Sequence, residues 1–269
     1  MSSATKTLEL LNHFTTDRPE IGLSQLCRLA GRDKATTYRH LQALEMAGFV
    51  EQNPLSKQYR LGPVVLHLAH VREATVPRKA SARAALVALS DATGETAHVT
   101  VLSGKTLYAL DDCESPRHGI RAVVDINVFP LHATASGICA LAFGPDELFD
   151  FAVTKLEKFT DTTPSTADEL SELISSARET GLGRGNQSFE VEILGLAAPV
   201  FDHTGLLAGA VSVASVASRF TSELEQVTKS ELIVAAREIS RNWGGTLPSH
   251  IEAAWANSLK QPHSMETTS

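Results

Sequence analysis

Between Gly22 and Leu61 the apolar residues change period twice, and few folds accommodate such a run. Leu23, Leu26, Cys27 and Ala30 recur at i, i+3, i+4 and i+7, one face of a short helix that Ser24 is placed to cap, and Gly31 then permits a tight turn. Asp33 opens a further helix that ends at Gly48. Phe49-Val-Glu-Gln, Asn53-Pro-Leu-Ser-Lys and Gln58-Tyr-Arg-Leu follow as strand, turn and strand. Upstream, Leu8, Leu11 and Phe14 predict a first helix starting at Thr7 and ending in the polar stretch Thr15 to Glu20. Three helices and a hairpin make a winged helix-turn-helix.

In the third helix the spacing turns Tyr38, Leu41 and Leu44 inward and presents Thr36, Arg39, His40 and Ala43 on the opposite side. A hydroxyl, a guanidinium and an imidazole beside a small residue are what a major-groove helix needs for phosphate and base-edge contacts. Arg32 and Lys34 flank its start, where a backbone phosphate would lie, and Lys57 and Arg60 sit in the wing. The candidate DNA contacts are therefore Ser24, Arg32, Lys34, Thr36, Thr37, Arg39, His40, Lys57 and Arg60, with a double-stranded operator as partner. Charge distribution agrees. Residues 1–75 hold nine Lys and Arg against seven Asp and Glu, a balance of +2, which leaves −9 for the rest of a chain whose net charge is −7. A mildly basic head on an acidic body suits a tethered reader of phosphate. The competing class is a winged-helix adaptor that binds proteins, with a small-molecule sensor attached.

With 269 residues, 43% of them hydrophobic, the chain suits two folded domains. The longest apolar run, Leu206 to Val216, falls short of the roughly 18 residues a membrane span needs, and the N-terminus lacks the apolar core of a signal peptide. A cytoplasmic protein without membrane contact is expected. Cys27, Cys113 and Cys139 are odd in number and widely spaced, as reduced thiols rather than a disulfide frame or metal site would be. No Gly-x-Ser-x-Gly elbow, P-loop, dinucleotide fingerprint or His-Glu-x-x-His pattern occurs, and Gly181-Leu-Gly-Arg-Gly185 follows a helix rather than a strand. Cys139 near His132 reads as packing rather than a dyad. These absences point away from an enzyme, a metal or a cofactor.

The predicted organisation is a DNA-binding head over 1–62, a linker helix over 63–76, an α/β sensor domain over 77–245 and a tail over 246–269 with a short helix around Trp255. The linker stripe Val64, Leu68 and Val71 fits a dimer interface or packing on its own domain. Beyond it, a helix over about 80–92, strands over 96–102 and 106–110, and helices over 136–143, 145–153 and 166–180 are expected. A Thr166-x-x-Glu169 capping box opens the last of these. Two apolar strands flank the turn Asp202-His-Thr-Gly205, and a final helix is expected to start at the box Ser222-x-x-Glu225. The fold class is α+β. His98, between Ala97 and Val99 in a strand, is directed to the opposite face and toward any cavity there, or is a satisfied structural histidine; His132, Tyr108 and Arg121 stand in the same position.

The run from Gly22 to Val50, with Arg32-Asp-Lys-Ala-Thr-Thr-Tyr-Arg-His-Leu at its centre, resembles the DNA-binding half of IclR-type (isocitrate lyase regulator) transcription factors. Pro130-Leu-His-Ala-Thr-Ala-Ser-Gly137, Ala197-Ala-Pro-Val-Phe-Asp202 and Ala210-Val-Ser-Val-Ala214 resemble the family's effector-binding half, so that the resemblance spans roughly 240 of 269 residues. It implies a GAF-like effector domain that holds a small organic acid or related metabolite, a dimerising linker helix, and a homodimer or dimer of dimers that represses a catabolic pathway. It further implies an effector site at Ala135, Ser136, Asn186, Gly195, Ser212 and Ala214, to which the strand alternation adds His98. The chain departs from the family at Asn186-Gln-Ser, where members often carry acids, and at Glu192, where they carry Gly.

Overall fold

The computed structural model describes residues 2–15, 18–114, 117 and 126–260, and its contacts divide the chain into two units, Met1–Pro77 and Arg78–Ser269. Arg121 lies outside the described residues.

The first unit opens with α1 (Ser3–Glu9), capped by the Ser2 side chain, which accepts from the Thr5 amide at 3.1 Å. A 3₁₀ turn over Leu10–His13 follows. The helix therefore begins upstream of Thr7, whose hydroxyl is engaged elsewhere, donating to the Ser3 carbonyl and meeting the His40 ring. In α2 (Leu23–Ala30) the N-cap is Gly22, so Ser24 lies inside the helix rather than capping it. The cause is the preceding residue: Ile21 pairs through its N–H and carbonyl with Tyr59 at 2.8 and 2.9 Å, which keeps the backbone extended up to the helix start. Gly31 closes α2 with φ of +61°, a conformation that favours glycine. Next comes α3 (Lys34–Met46), capped by Asp33, whose carboxylate accepts from the Thr36 amide at 2.8 Å. Strands β1 (Val50–Gln52) and β2 (Tyr59–Leu61) form the antiparallel wing, with Val50 opposite Leu61 and Gln52 opposite Tyr59. Leu10, Phe14, Ile21, Leu26, Leu41, Leu44, Val50 and Tyr59 make one core. The helix α4 (Val64–Thr75) then leaves Pro63 with none of its residues buried and with Leu66 75% exposed.

The second unit is built on an antiparallel sheet. After α5 (Arg78–Thr93), strands β3 (Thr96–Ser103) and β4 (Thr106–Cys113) form a hairpin, and β5 (Val128–Phe129) pairs with β4. Helices α6 (Ala135–Phe143), α7 (Glu147–Val153) and α8 (Ala167–Thr180) follow, then β6 (Gly183–Asn186), β7 (Ile193–Phe201) and β8 (Leu207–Val216). Among the described residues the last elements are α9 (Ser222–Asn242) and α10 (Ser249–Ser258). Strand order is β5-β4-β3-β8-β7-β6, so β3 and β8, far apart in sequence, lie together at the centre of the sheet.

Two short strands, β5 and β6, were not anticipated, because two residues and a Gly-Arg-Gly-Asn run carry no alternating signal. The expected box at Ser222 is also corrected: Thr221 caps α9 by accepting from the Leu224 amide at 3.2 Å. Glu225 is buried instead and takes ion pairs from Arg184 at 2.8 Å and Lys229 at 2.9 Å. The Thr166 box of α8 forms as expected, with reciprocal bonds of 3.2 Å between Thr166 and Glu169.

Register assigns the two sheet faces. Val99, Val211, Val213, Leu196, Ala198 and Val200 join the main core together with Leu86, Leu89, Leu232 and Ile233 of α5 and α9. The other face, carrying Ala197 and Ala210, receives α6 through Ala135 and Cys139. In α10 the fully buried Trp255 donates its indole N–H to the Gly181 carbonyl at 2.8 Å and so fastens the tail to the end of α8. We predict that Trp255→Ala lowers unfolding free energy by about 3–5 kcal/mol, whereas Trp255→Phe loses mainly the hydrogen bond, about 1 kcal/mol; equal losses in denaturant titrations of the two variants would contradict this.

Candidate functional site

The structure turns α3 differently from the periodicity. Thr37, His40, Leu41 and Leu44 are its buried residues, while Ala35, Tyr38, Arg39, Gln42 and Met46 form the exposed face at i, i+3, i+4, i+7 and i+11. Thr37 and His40 are thus corrected from groove contacts to braces. The Thr37 hydroxyl donates to the Asp33 carbonyl at 2.9 Å, and the His40 ring meets the Thr7 hydroxyl at 2.6 Å, tying α3 to α1. Burial, and then the nearby Arg39 charge, hold His40 below the ordinary imidazole pKa. Tyr38, read as core, is 44% exposed and becomes a candidate contact alongside Gln42.

The cations sort in the same way. Arg32 is only 17% exposed and spends its guanidinium on the Glu9 carboxylate and the Lys6 carbonyl, which locks the turn between α2 and α3 onto α1. Arg60 is exposed but pairs with Glu51 at 2.6 Å and Glu20 at 3.7 Å. Among the described residues, Lys34, Arg39 and Lys57 are exposed and make no ion pair. Lys57 stands in the wing turn with φ of +58°, where the Asn53 side chain accepts from the amides of Leu55 and Ser56 at 3.0 and 3.3 Å. Ser24 and Thr36 stay accessible near this surface.

In the second unit a cavity with about 470 Å³ of space, part of it open to solvent, lies between the start of α6, the loop after β6, and the face of β3, β8 and β7 that α6 covers. His98, Ala135, Ser136, Gly195, Ser212 and Ala214 all line it. Register explains the grouping: His98 is opposite Ser212, and Gly195 is opposite Ala214, so all four share one face. Asn186 is the exception. It is exposed, does not line the cavity, and its carbonyl accepts from the Thr162 hydroxyl at 2.9 Å, because the chain turns outward at the end of β6.

Thr134 caps α6 by accepting from the Gly137 amide at 3.0 Å, and its hydroxyl donates to the Pro130 carbonyl at 2.9 Å. The amides of Ala135 and Ser136 open the helix at the cavity, an arrangement suited to an anion. The Ser136 hydroxyl and His98 Nε2 are buried without a hydrogen-bond partner among the described residues, and an unmet buried polar group costs about 1–3 kcal/mol. Phe129, Phe189 and Ile193 supply apolar wall, and Glu190 stands at the mouth.

The wall containing Phe189 is braced by residues that the sequence did not single out. Hydroxyls of Thr160, Thr162 and Thr163 donate to the carbonyls of Gln187, Asn186 and Ser188 at 2.7, 2.9 and 2.6 Å. Ser188 in turn donates to the Ala133 carbonyl at 2.8 Å, and Phe159 meets Phe189 edge-on at 4.9 Å. A hydroxyl cluster at Thr160-Asp-Thr-Thr was the available signal, but its acceptors are more than twenty residues away. His132 stacks on Phe159 and bonds the Glu157 carbonyl at 2.8 Å, and Tyr108 is exposed on β4; neither lines the cavity. Cys139 is fully buried and burial raises its thiol pKa, as expected of a packing residue.

Burial lowers the His98 pKa to about 4, partly offset by Asp112, its cross-strand neighbour on β4. Its ring is therefore neutral near neutral pH. Because the unfolded state takes up the proton first, near the ordinary value of 6.5, stability should fall as pH drops below 6.5 and level off near pH 4. The expected His98-dependent loss between pH 6.5 and 5 is about 2 kcal/mol, and His98→Gln should remove that component. Identical pH slopes for the two proteins in urea titrations would refute the assignment.

Comparison with known proteins agrees with these two units. Residues 3–54 match the family described as "IclR helix-turn-helix domain", and residues 74–241 match "Bacterial transcriptional regulator IclR C-terminal". The glycerol operon regulatory protein of Streptomyces coelicolor is 26% identical, over 90% of this chain and 94% of its own length. The DNA-binding transcriptional repressor YiaJ of Escherichia coli K12 is 28% identical, over 87% of this chain and 82% of its own. A solved IclR-type transcriptional regulator from Silicibacter sp. TM1040 is 36% identical, with a TM-score of 0.88, over 93% of this chain and 99% of that one. A helix-turn-helix head and a cavity-bearing α/β unit, each matched in its own right, show that the chain belongs to the IclR family of bacterial transcriptional regulators.

Proposed function

We propose that the chain represses a catabolic operon: residues 1–62 hold the operator, 63–76 link and dimerise, 77–245 bind a small organic acid that sets operator affinity, and 246–269 form a tail. The observation that carries this reading is the exposed face of α3, where Tyr38, Arg39 and Gln42 stand free while the polar residues behind them brace the helix. Arg39 and Gln42 suit base-edge readout, and Lys34, Lys57 and the hydroxyls of Ser24 and Thr36 suit phosphate. Repression of a metabolite-controlled operon is supported by the names of the relatives YiaJ and the glycerol operon regulator. Dimerisation is supported by α4, whose Leu66, Leu68 and Val71 are exposed. A homodimer or dimer of dimers would place two heads on a two-fold operator, acting in the cytoplasm without a catalytic step or cofactor.

Arg39→Ala should weaken operator binding by about tenfold or more, about 1–3 kcal/mol if it reads a base, at unchanged melting temperature. Binding should also fall steeply between low and high salt through counterion release. Unchanged gel-shift affinity, or binding indifferent to salt, would favour the adaptor reading. In the other unit, Ser212→Leu should fill the cavity from β8, leaving operator binding intact while abolishing release by any metabolite found to act on the wild type. Normal release by that metabolite would count against the cavity as the effector site.

A further inference from the structure

The effector reading leaves open what chemistry the cavity accepts, and its lining decides much of that. Among the described lining residues there is no Lys or Arg. The features able to hold a negative charge are the first amides of α6 and the Ser136 hydroxyl, which is 1% exposed and unpartnered. They suffice for one carboxylate. A second would meet Glu190 at the mouth or, near His98, the carboxylate of Asp112 directly across from it on β4. Between these polar ends the wall is apolar, supplied by Phe129, Phe189 and Ile193.

His98 occupies the far end. Ala135 stands against Gly195 of β7 and Gly185 of β6, since a Cβ on either glycine would lie 3.0 Å from an Ala135 atom. His98 is on β3, with β8 lying between β3 and β7. Strands about 4.8 Å apart put the two positions roughly 10 Å from each other across the sheet. The ring is 5% exposed, edge-on to Phe129 at 6.1 Å, and its Nε2 has no partner among the described residues. Burial keeps it neutral, so it offers a hydrogen bond and no charge.

Resting on the effector reading above, the geometry points to His98 as the specificity-determining residue of this cavity: its Nε2 hydrogen-bonds a neutral hydroxyl or keto group on an apolar, ring-sized monocarboxylate whose acid group lies on the Ala135 and Ser136 amides. Dicarboxylates and phosphorylated compounds are rejected, because none of the described residues lining the cavity carries a positive charge to compensate a second acid group.

Three acids sharing one ring test this with the full-length protein: benzoate, 4-hydroxybenzoate and terephthalate, titrated calorimetrically. The wild type should bind 4-hydroxybenzoate about tenfold more tightly than benzoate and terephthalate most weakly. His98→Phe should bind benzoate within about threefold of wild type yet lose the preference for the hydroxyl, and His98→Gln, which keeps a hydrogen-bonding group, should retain it. Persistence of the preference in His98→Phe overturns the proposal, as does terephthalate binding as tightly as 4-hydroxybenzoate. Failure of all three acids to bind the wild type also overturns it, while a different metabolite that releases the operator from wild type and not from Ser212→Leu would leave the effector reading standing.

Discussion

The close seating of α6 on the sheet is the constraint from which the second unit follows. A Cβ at Gly183 would lie 2.4 Å from the Ala135 carbonyl oxygen and 2.7 Å from the Cys139 amide, so that position has room only for glycine. Ala197, Ala210 and Cys139 complete a contact made of small side chains. Lying this low, the helix brings its first turn down to the sheet, and beyond it, at Ser212, Ala214 and His98, a cavity opens. Thr134 satisfies the Gly137 amide, leaving the first two amides to face that space. Helix, cavity and the amides at the helix start are therefore one packing decision.

The cavity's outer wall depends on side chains instead. Three threonine hydroxyls take three consecutive carbonyls at the end of β6 and in the irregular segment that follows it, and Ser188 joins that segment to the residues before α6. Otherwise the backbone around Gln187, with φ of +56°, would have few of its hydrogen bonds met. Phe189 and Glu190 owe their places at the cavity to this bracing.

In the first unit, polar residues that resemble readers of DNA serve the scaffold. Arg32, Thr37 and His40 are each turned inward or paired, and together they hold α3 against α1 and the turn before it. That rigidity leaves Tyr38, Arg39 and Gln42 presented from a fixed helix. A reader held by its neighbours loses little conformational freedom on binding.

The amino-acid sequence by itself determined the local elements: the helix-turn-helix with its left-handed Gly31, the hairpin wing, the α8 capping box, the helix around Trp255, and, through family resemblance and strand alternation together, six of the seven candidate positions that line the cavity. These are legible because caps, turns and periodicity depend on residues adjacent in the chain. Only the tertiary structure decided which face of α3 is free, since Thr37 and His40 are polar yet buried whereas Tyr38 and Met46 are apolar yet exposed. It also moved Asn186 out of the cavity, brought Thr160 to Thr163 into its support, and left the ring of His98 without a partner. The reason is physical: burial and hydrogen-bond satisfaction are set by groups that arrive from distant parts of the chain, and no local pattern records who they will be.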